Sequence, residues 1–154
     1  MEVESKRAAP WALLASNLSD YGFIWPLVVV VQILRGQRRP GEAIRRLGLT
    51  GISSLLLTRL LKTKHVARPA RDQSQRNWVR EPSSSRFPSG HTLVSTAAAL
   101  VIPTTPLGEV AALAFAGTLA ASRAELGAHE AVDLVAGALA GIALGSTLRW
   151  VLKP

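Results

Sequence analysis

A chain of 154 residues is one domain's worth of sequence, and with 48% hydrophobic against 18% charged residues it is neither disordered nor an ordinary charged soluble domain. The net charge of +8 would suit nucleic acid, but the basic residues cluster between apolar stretches, which points to a membrane surface and away from nucleic acid. There is no cysteine, which excludes disulfides and thiolate metal sites.

Met1 to Ala9 carries Glu2, Glu4, Lys6 and Arg7 without the apolar core of a secretory signal, so no secretory cleavage is expected. A weak apolar run, Trp11 to Leu18, falls in an N-terminal segment, residues 1–20. The first strong stretch is Tyr21–Leu34, rich in valine. A short basic connection follows, Arg35–Arg46, with a turn at Pro40-Gly41. Leu47–Thr58 is the second stretch, continuing past Arg59 to Leu61. Lys62–Arg86 is polar and basic, and its Pro82 and Ser83 to Ser85 read as loop. Phe87–Gly108 is the third stretch, with Pro103 and Pro106 ending a helix near Ile102. Val110–Ser122 is the fourth and Leu134–Leu148 the fifth.

Most of these stretches fall short of the ~20 residues a lone spanning helix wants, but flanking arginines and lysines can snorkel to lengthen them. The expected fold is all-α, a multi-pass transmembrane helical bundle of about five membrane helices. The plainer alternative is a soluble helical bundle with alanine-rich cores. Against it, the fourth and fifth stretches carry apolar or small residues on all faces instead of one stripe. Gly137, Gly141 and Gly145 repeat every fourth residue, a spacing that lets helices approach closely, and are read as packing residues. Trp25, Trp78 and Trp150 are read as interfacial anchors, and the basic runs by themselves as solvated faces or headgroup anchors. No repeat or boundary divides the chain, so residues 1–154 form one membrane-embedded domain, with 62–90 as the loop that carries its site.

Two strings carry chemistry. One is Pro88-Ser89-Gly90-His91; the other is Ser122-Arg123, then His129, then Asp133. The first opens the third stretch, while the second closes the fourth and opens the fifth. With antiparallel neighbours, all of these ends meet on one side of the membrane. Ser89 and Gly90 fall where a helix N-terminus offers unpaired N–H groups, a cradle for phosphate. Arg123 and Arg68 can clamp phosphate oxygens, with a lysine adding a point charge. His129 and Asp133 lie one helical turn apart, so the carboxylate can fix the imidazole tautomer and leave the other nitrogen free to attack phosphorus. His91 can protonate the leaving oxygen. These are the parts of a phosphoryl transfer that needs no metal. Singly, each has a duller explanation: a capping histidine, an aspartate at a helix start, ordinary turn residues. Only the set overturns them.

The two strings resemble the second and third signature motifs of the type-2 phosphatidic acid phosphatase family, whose members include lipid phosphatases and vanadium haloperoxidases. The resemblance covers roughly Lys62 to Asp133. It implies that His129 is a nucleophile forming a phosphohistidine that water hydrolyses, that Asp133 supports it, and that His91 is the acid. The first motif, lysine, six residues, then Arg-Pro, fits less closely: Arg68-Pro69 is present, but Leu61 stands in the lysine slot and Lys62 comes one residue late. Lys64 and Arg71 have the right gap, but Asp72 follows where proline should be.

The expected function is a metal-independent membrane phosphatase in the cell membrane, acting on a lipid phosphomonoester or diphosphate and using no cofactor. By resemblance the substrates are polyprenyl phosphates or diphosphates, phosphatidate or phosphatidylglycerophosphate. The expected site is His129, His91 and Asp133 for catalysis, with Lys62, Arg68, Ser89, Gly90 and Arg123 on the phosphate. Expected partners are the lipid phosphate and membrane lipids, not nucleic acid, with a homo-oligomer allowed where a second subunit lends a lateral helix. The alternatives are an acid phosphatase on soluble phosphoesters and a non-catalytic lipid-binding scaffold that retains the phosphate pocket.

Overall fold

The computed structural model describes residues 9–20, 24–62 and 85–153. Among them the chain is all-α, with six helices: α1 (Pro10–Asp20), α2 (Ile24–Leu34), α3 (Pro40–Leu61), α4 (Gly90–Val101), α5 (Pro106–Glu125) and α6 (Ala131–Val151). Two prolines expected to make a turn or end a helix begin one instead. Pro40 and Pro106 sit at the first positions of α3 and α5, where the missing N–H costs nothing and the fixed φ suits the helix. Thr105 caps α5 by accepting the Gly108 N–H at 3.1 Å. The basic connection is therefore shorter than expected, since residues 40–46 belong to α3.

Helix α4 is the centre of the bundle. Eight of its twelve residues are buried, and it packs against α3, α5 and, most extensively, α6. The α4–α6 contact is backbone on backbone. A Cβ on Gly137 would lie 2.5 Å from the Ser89 carbonyl oxygen, and one on Gly141 2.6 Å from that of Leu93. One on Gly145 would lie 3.1 Å from the Ala97 Cα. The packing role read for this stripe is the one it has.

Both helices end at the far side of the bundle, and α2 and α3 cap them there. The Ile102 carbonyl at the end of α4 accepts from Gln32 Nε2 at 3.1 Å and from Arg38 Nη1 at 3.0 Å. The Leu152 carbonyl at the end of α6 accepts from Arg46 Nη2 at 2.8 Å, while Arg46 Nε donates to Glu42 at 2.8 Å. Cations at helix C-termini satisfy orphan carbonyls and oppose the helix dipole. Arg38 and Arg46 are thus internal caps, not the solvated or headgroup-facing charges expected of the run; Arg35, Arg39 and Arg45 remain exposed. Trp25 also departs from its reading as an interfacial anchor. It is buried, edge-on to Phe115 at 6.4 Å between ring centres, because the Ala98, Ala99 and Ala116 side chains around it leave room for an indole. Trp150 is exposed, and Trp78 lies outside the described residues.

Size is distributed inside out. Alanine is the commonest buried apolar residue, and serines and threonines are buried beside it. Many large aliphatic side chains point outward on every helix but α4, among them Leu14, Leu27, Leu56, Leu107 and Leu139. Among the described residues, one helix, α6, is both long and apolar enough to cross a membrane. Its 21 residues extend roughly 31 Å at ~1.5 Å of rise per residue. Helices α2 and α4 are apolar but only 11 and 12 residues long. Helices α3 and α5 have the length but carry charges near their ends.

The seam makes a test. Gly141→Ala should lower stability by about 1–3 kcal/mol, the usual result of forcing a methyl into a filled contact. Gly48→Ala, on an open face of α3 with nothing within 4 Å of the new methyl, should hold or slightly gain. Thermal unfolding of the purified variants compares them, and equal stability would contradict the backbone contact.

Candidate active site

The spacing from Ser122-Arg123 to His129 is the length of a helix ending. At the close of α5, Leu126 is the last capping residue and Gly127 turns the chain with φ +60°. The Gly127 N–H donates to the Ala124 carbonyl at 2.9 Å and the Ala128 N–H to the Arg123 carbonyl at 2.9 Å, the paired bonds of a Schellman ending. The His129 N–H reaches the same Arg123 carbonyl at 3.3 Å. The turn therefore folds His129 back beside Arg123 through their backbones.

Helix α6 then starts, and Asp133 closes its first turn by accepting the Glu130 N–H at 2.8 Å on Oδ2. The same Oδ2 lies 3.6 Å from His129 Nδ1. The capping role and the proximity to histidine, read from sequence as rivals, are held by one carboxylate. Its side chain is 0% exposed and that of His129 is 2%.

The second motif joins the third directly. The Ser89 N–H donates to the Asp133 carbonyl at 3.0 Å, so the start of α4 is fastened to the first turn of α6. Ser89 is the N-cap of α4, with its Oγ accepting from Thr92 Oγ1 at 3.0 Å and facing the Thr92 N–H at 3.5 Å. Gly90 and His91 are the first two residues of the helix, where backbone N–H groups have no intrahelical acceptor. Gly90 also lets α3 come near, since a Cβ there would lie 2.9 Å from Thr58 Cγ2 and 4.0 Å from Lys62 Cε. Lys62 ends α3 and its Nζ donates to the Ser85 carbonyl at 2.8 Å, just ahead of the Pro-Ser-Gly-His string. Arg68 and Lys64 lie outside the described residues.

Two residues that sequence reasoning passed over hold this cluster. Arg123 is 1% exposed, and its Nη1 donates at 2.6 Å to Ser16 Oγ on α1, itself fully buried. An isolated serine in a weak apolar run carries no signal of such a role. Arg86 forms an ion pair through Nη1 with Glu130 and brings Nε to 3.1 Å from Asp133 Oδ2. The hydrogen bond to Glu130, aided by the Asp133 charge, raises its pKa above the ordinary arginine value and outweighs the opposing effect of burial. It was hidden among the other arginines of a basic loop.

Lys62, Ser89, Gly90, His91, Arg123, His129 and Asp133 thus stand at the ends of four helices on one side of the bundle. The set is rich in N–H donors and cations, with one buried carboxylate beside a histidine: chemistry suited to an anion. A model of the PAP2 superfamily matches residues 43–153, from the first turns of α3 to the end of α6. The chain belongs to the PAP2 superfamily. Membership points to phosphatase chemistry on phosphoesters, as the motif resemblance implied. Helices α1 and α2, and with them Ser16, precede the matched region. Neither the curated proteins nor the solved structures gave a match.

The helix ending can be tested alone. Gly127→Ala puts a Cβ into left-handed backbone and should cost about 1–2 kcal/mol. Gly117→Ala, in the middle of α5 with nothing within 4 Å, should gain up to about 1 kcal/mol. If the two variants unfold at the same temperature, the turn that sets His129 beside Arg123 is drawn wrongly.

Proposed function

We propose that this PAP2 protein is a multi-pass membrane phosphatase that hydrolyses a lipid phosphomonoester or diphosphate through a phosphohistidine. The observation that carries the reading is the Ser89–Asp133 backbone bond, which puts a helix N-terminus, a histidine–aspartate pair and a buried arginine at one end of the bundle.

In this reading, phosphate sits at the N-terminus of α4, on the N–H groups of its first turn and between Arg123, Lys62 and Arg68. The cations take the part that metal ions play in other phosphoryl-transfer sites. The His129 Nε2 lone pair attacks phosphorus as the bond to the leaving oxygen breaks, and His91 gives that oxygen its proton. Water then attacks the phosphorus, His91 takes a proton from it, and the P–N bonding pair returns to His129. Asp133 faces the Nδ1 side at 3.6 Å, which leaves Nε2 as the attacking nitrogen.

The membrane reading is supported by the small-residue interior and large-residue exterior, since a soluble chain rarely shows so continuous an aliphatic coat. Helix α6 matches the ~30 Å hydrocarbon core and carries Asp133 at one end and Trp150 at the other, which supports a reading with the cluster at headgroup level. The short α4 fits because the irregular segments at its ends are satisfied by protein: Ile102 by Gln32 and Arg38, Ser89 by Asp133. A phosphorylated lipid would present its headgroup at this level. Polyprenyl and glycerolipid phosphates are the substrate classes to assay.

The two histidines should fail differently. His129→Ala should be inactive on both a lipid monoester and p-nitrophenyl phosphate, with no acid-labile phosphoenzyme. His91→Ala should keep more activity on the nitrophenyl ester, whose leaving group needs no proton, than on the lipid. Equal residual rates of the two variants on both substrates would contradict these roles.

A further inference from the structure

Asp133 is a fully buried carboxylate, and an ionised group in that position is strongly disfavoured unless cations and hydrogen bonds surround it. Its Oδ2 is crowded: the Glu130 N–H at 2.8 Å, Arg86 Nε at 3.1 Å and His129 Nδ1 at 3.6 Å. Oδ1 has no hydrogen-bond partner among the described residues. Among the described residues, the ion contacts of Asp133 are with Arg86 and His129. The other charged or titratable groups at this end, again among the described residues, are Lys62 on α3, His91 on α4, and Arg123 and the exposed Glu125 on α5, with Glu130 ahead of α6.

Arg86 divides its fork between two carboxylates. Nη1 pairs with Glu130, which is well exposed, and Nε lies 3.1 Å from Oδ2 of Asp133, which is not, as an ion pair without hydrogen-bond alignment. Docking the Arg86–Ser89 segment on α6 would need the first contact only. The second places a permanent cation beside the carboxylate that faces the histidine. Arginine suits the post because its guanidinium is rigid, planar and always charged.

We infer that Arg86 is a positioning residue whose cation offsets the Asp133 carboxylate and so keeps His129 neutral, with Glu130 holding the guanidinium in place. The inference rests on the phosphohistidine reading for its consequence but not for its electrostatics. Without Arg86, the cation left in contact with Asp133 among the described residues would be His129 itself once protonated, so the imidazole would hold a proton more readily. An imidazolium has no lone pair to offer phosphorus. Removing the arginine therefore favours the imidazolium form of His129, and activity is lost earlier as pH falls.

The test is a pH titration of the histidine ring nitrogens by ¹⁵N NMR on the full chain in detergent, with His129 assigned by loss of its signal in His129→Ala. Arg86→Gln should move the His129 titration upward by about one unit, the low end of the shift an adjacent charge produces. The acidic limb of kcat/KM should move the same way, with kcat down about tenfold or more. Arg86→Lys, which keeps the charge without the fork, should return the titration close to wild type while kcat stays reduced. If Arg86→Gln does not fold, Arg86→Lys decides: wild-type kcat in that variant overturns the inference. An unmoved His129 titration in folded Arg86→Gln also overturns it. A wild-type protein inactive on every phosphoester, with the His129 shift still present in Arg86→Gln, would sink the phosphatase reading and leave the place of Arg86 standing.

Discussion

Three glycines on one face of α6 let its backbone lie against the backbone of α4, and the rest of the bundle is arranged around that contact. At Gly137 and Gly141 the neighbouring atoms are carbonyl oxygens at 2.5 and 2.6 Å from where a Cβ would be, and no rotamer change could make room. Close approach of this kind gains dispersion contacts along the whole seam, which matters most where burial of large apolar groups contributes little. It also fixes the axial register of two helices whose N-termini carry the chemistry. The Ser89–Asp133 bond at one end and the capped Ile102 and Leu152 carbonyls at the other are consequences of that register.

A bundle with a thin core of alanine and serine tolerates buried charge only where each charge is answered. Arg123 is answered by Ser16 from α1, Asp133 by Arg86 and the Glu130 N–H, and Arg46 by Glu42 and a helix end. These pairings tie α1 to α5 and α3 to the end of α6, so the polar network holds the fold together and presents the site at once. Loss of one partner in such a place leaves an uncompensated charge in low dielectric, which is why α1 matters to a cluster it does not itself belong to.

The helical class and the gathering of the motifs at one end were legible because apolar stretches and motif positions are local in sequence. The end of α4 near Ile102 was legible for the same reason. Helix starts were less so: Pro40 read as a turn and Pro106 as a helix end, since a proline marks a boundary without saying on which side the helix lies. Ser16, Arg86, Arg38 and Arg46 were not legible as site or cap residues. Each acts on a partner far along the chain or in the next helix, and composition assigns a serine in a weak run or an arginine in a basic loop no such partner. Trp25 misled because the same indole suits an interface or an alanine-lined pocket, and only its neighbours decide.

The claim that the glycine seam assembles the phosphate site is tested most directly by orthovanadate binding, measured calorimetrically on folded variants at the two ends of the seam. Gly137→Ala pushes a methyl against the Ser89 carbonyl at the site. Gly145→Ala sits at the far end, where the new methyl would meet Leu100 Cδ1 at 3.0 Å and Ala97 at 3.1 Å. Misplacing catalytic groups by about an ångström costs on the order of a hundredfold in comparable sites. The account predicts vanadate affinity at least about tenfold weaker in Gly137→Ala and within about threefold of wild type in Gly145→Ala. Wild-type affinity in a folded Gly137→Ala would contradict it.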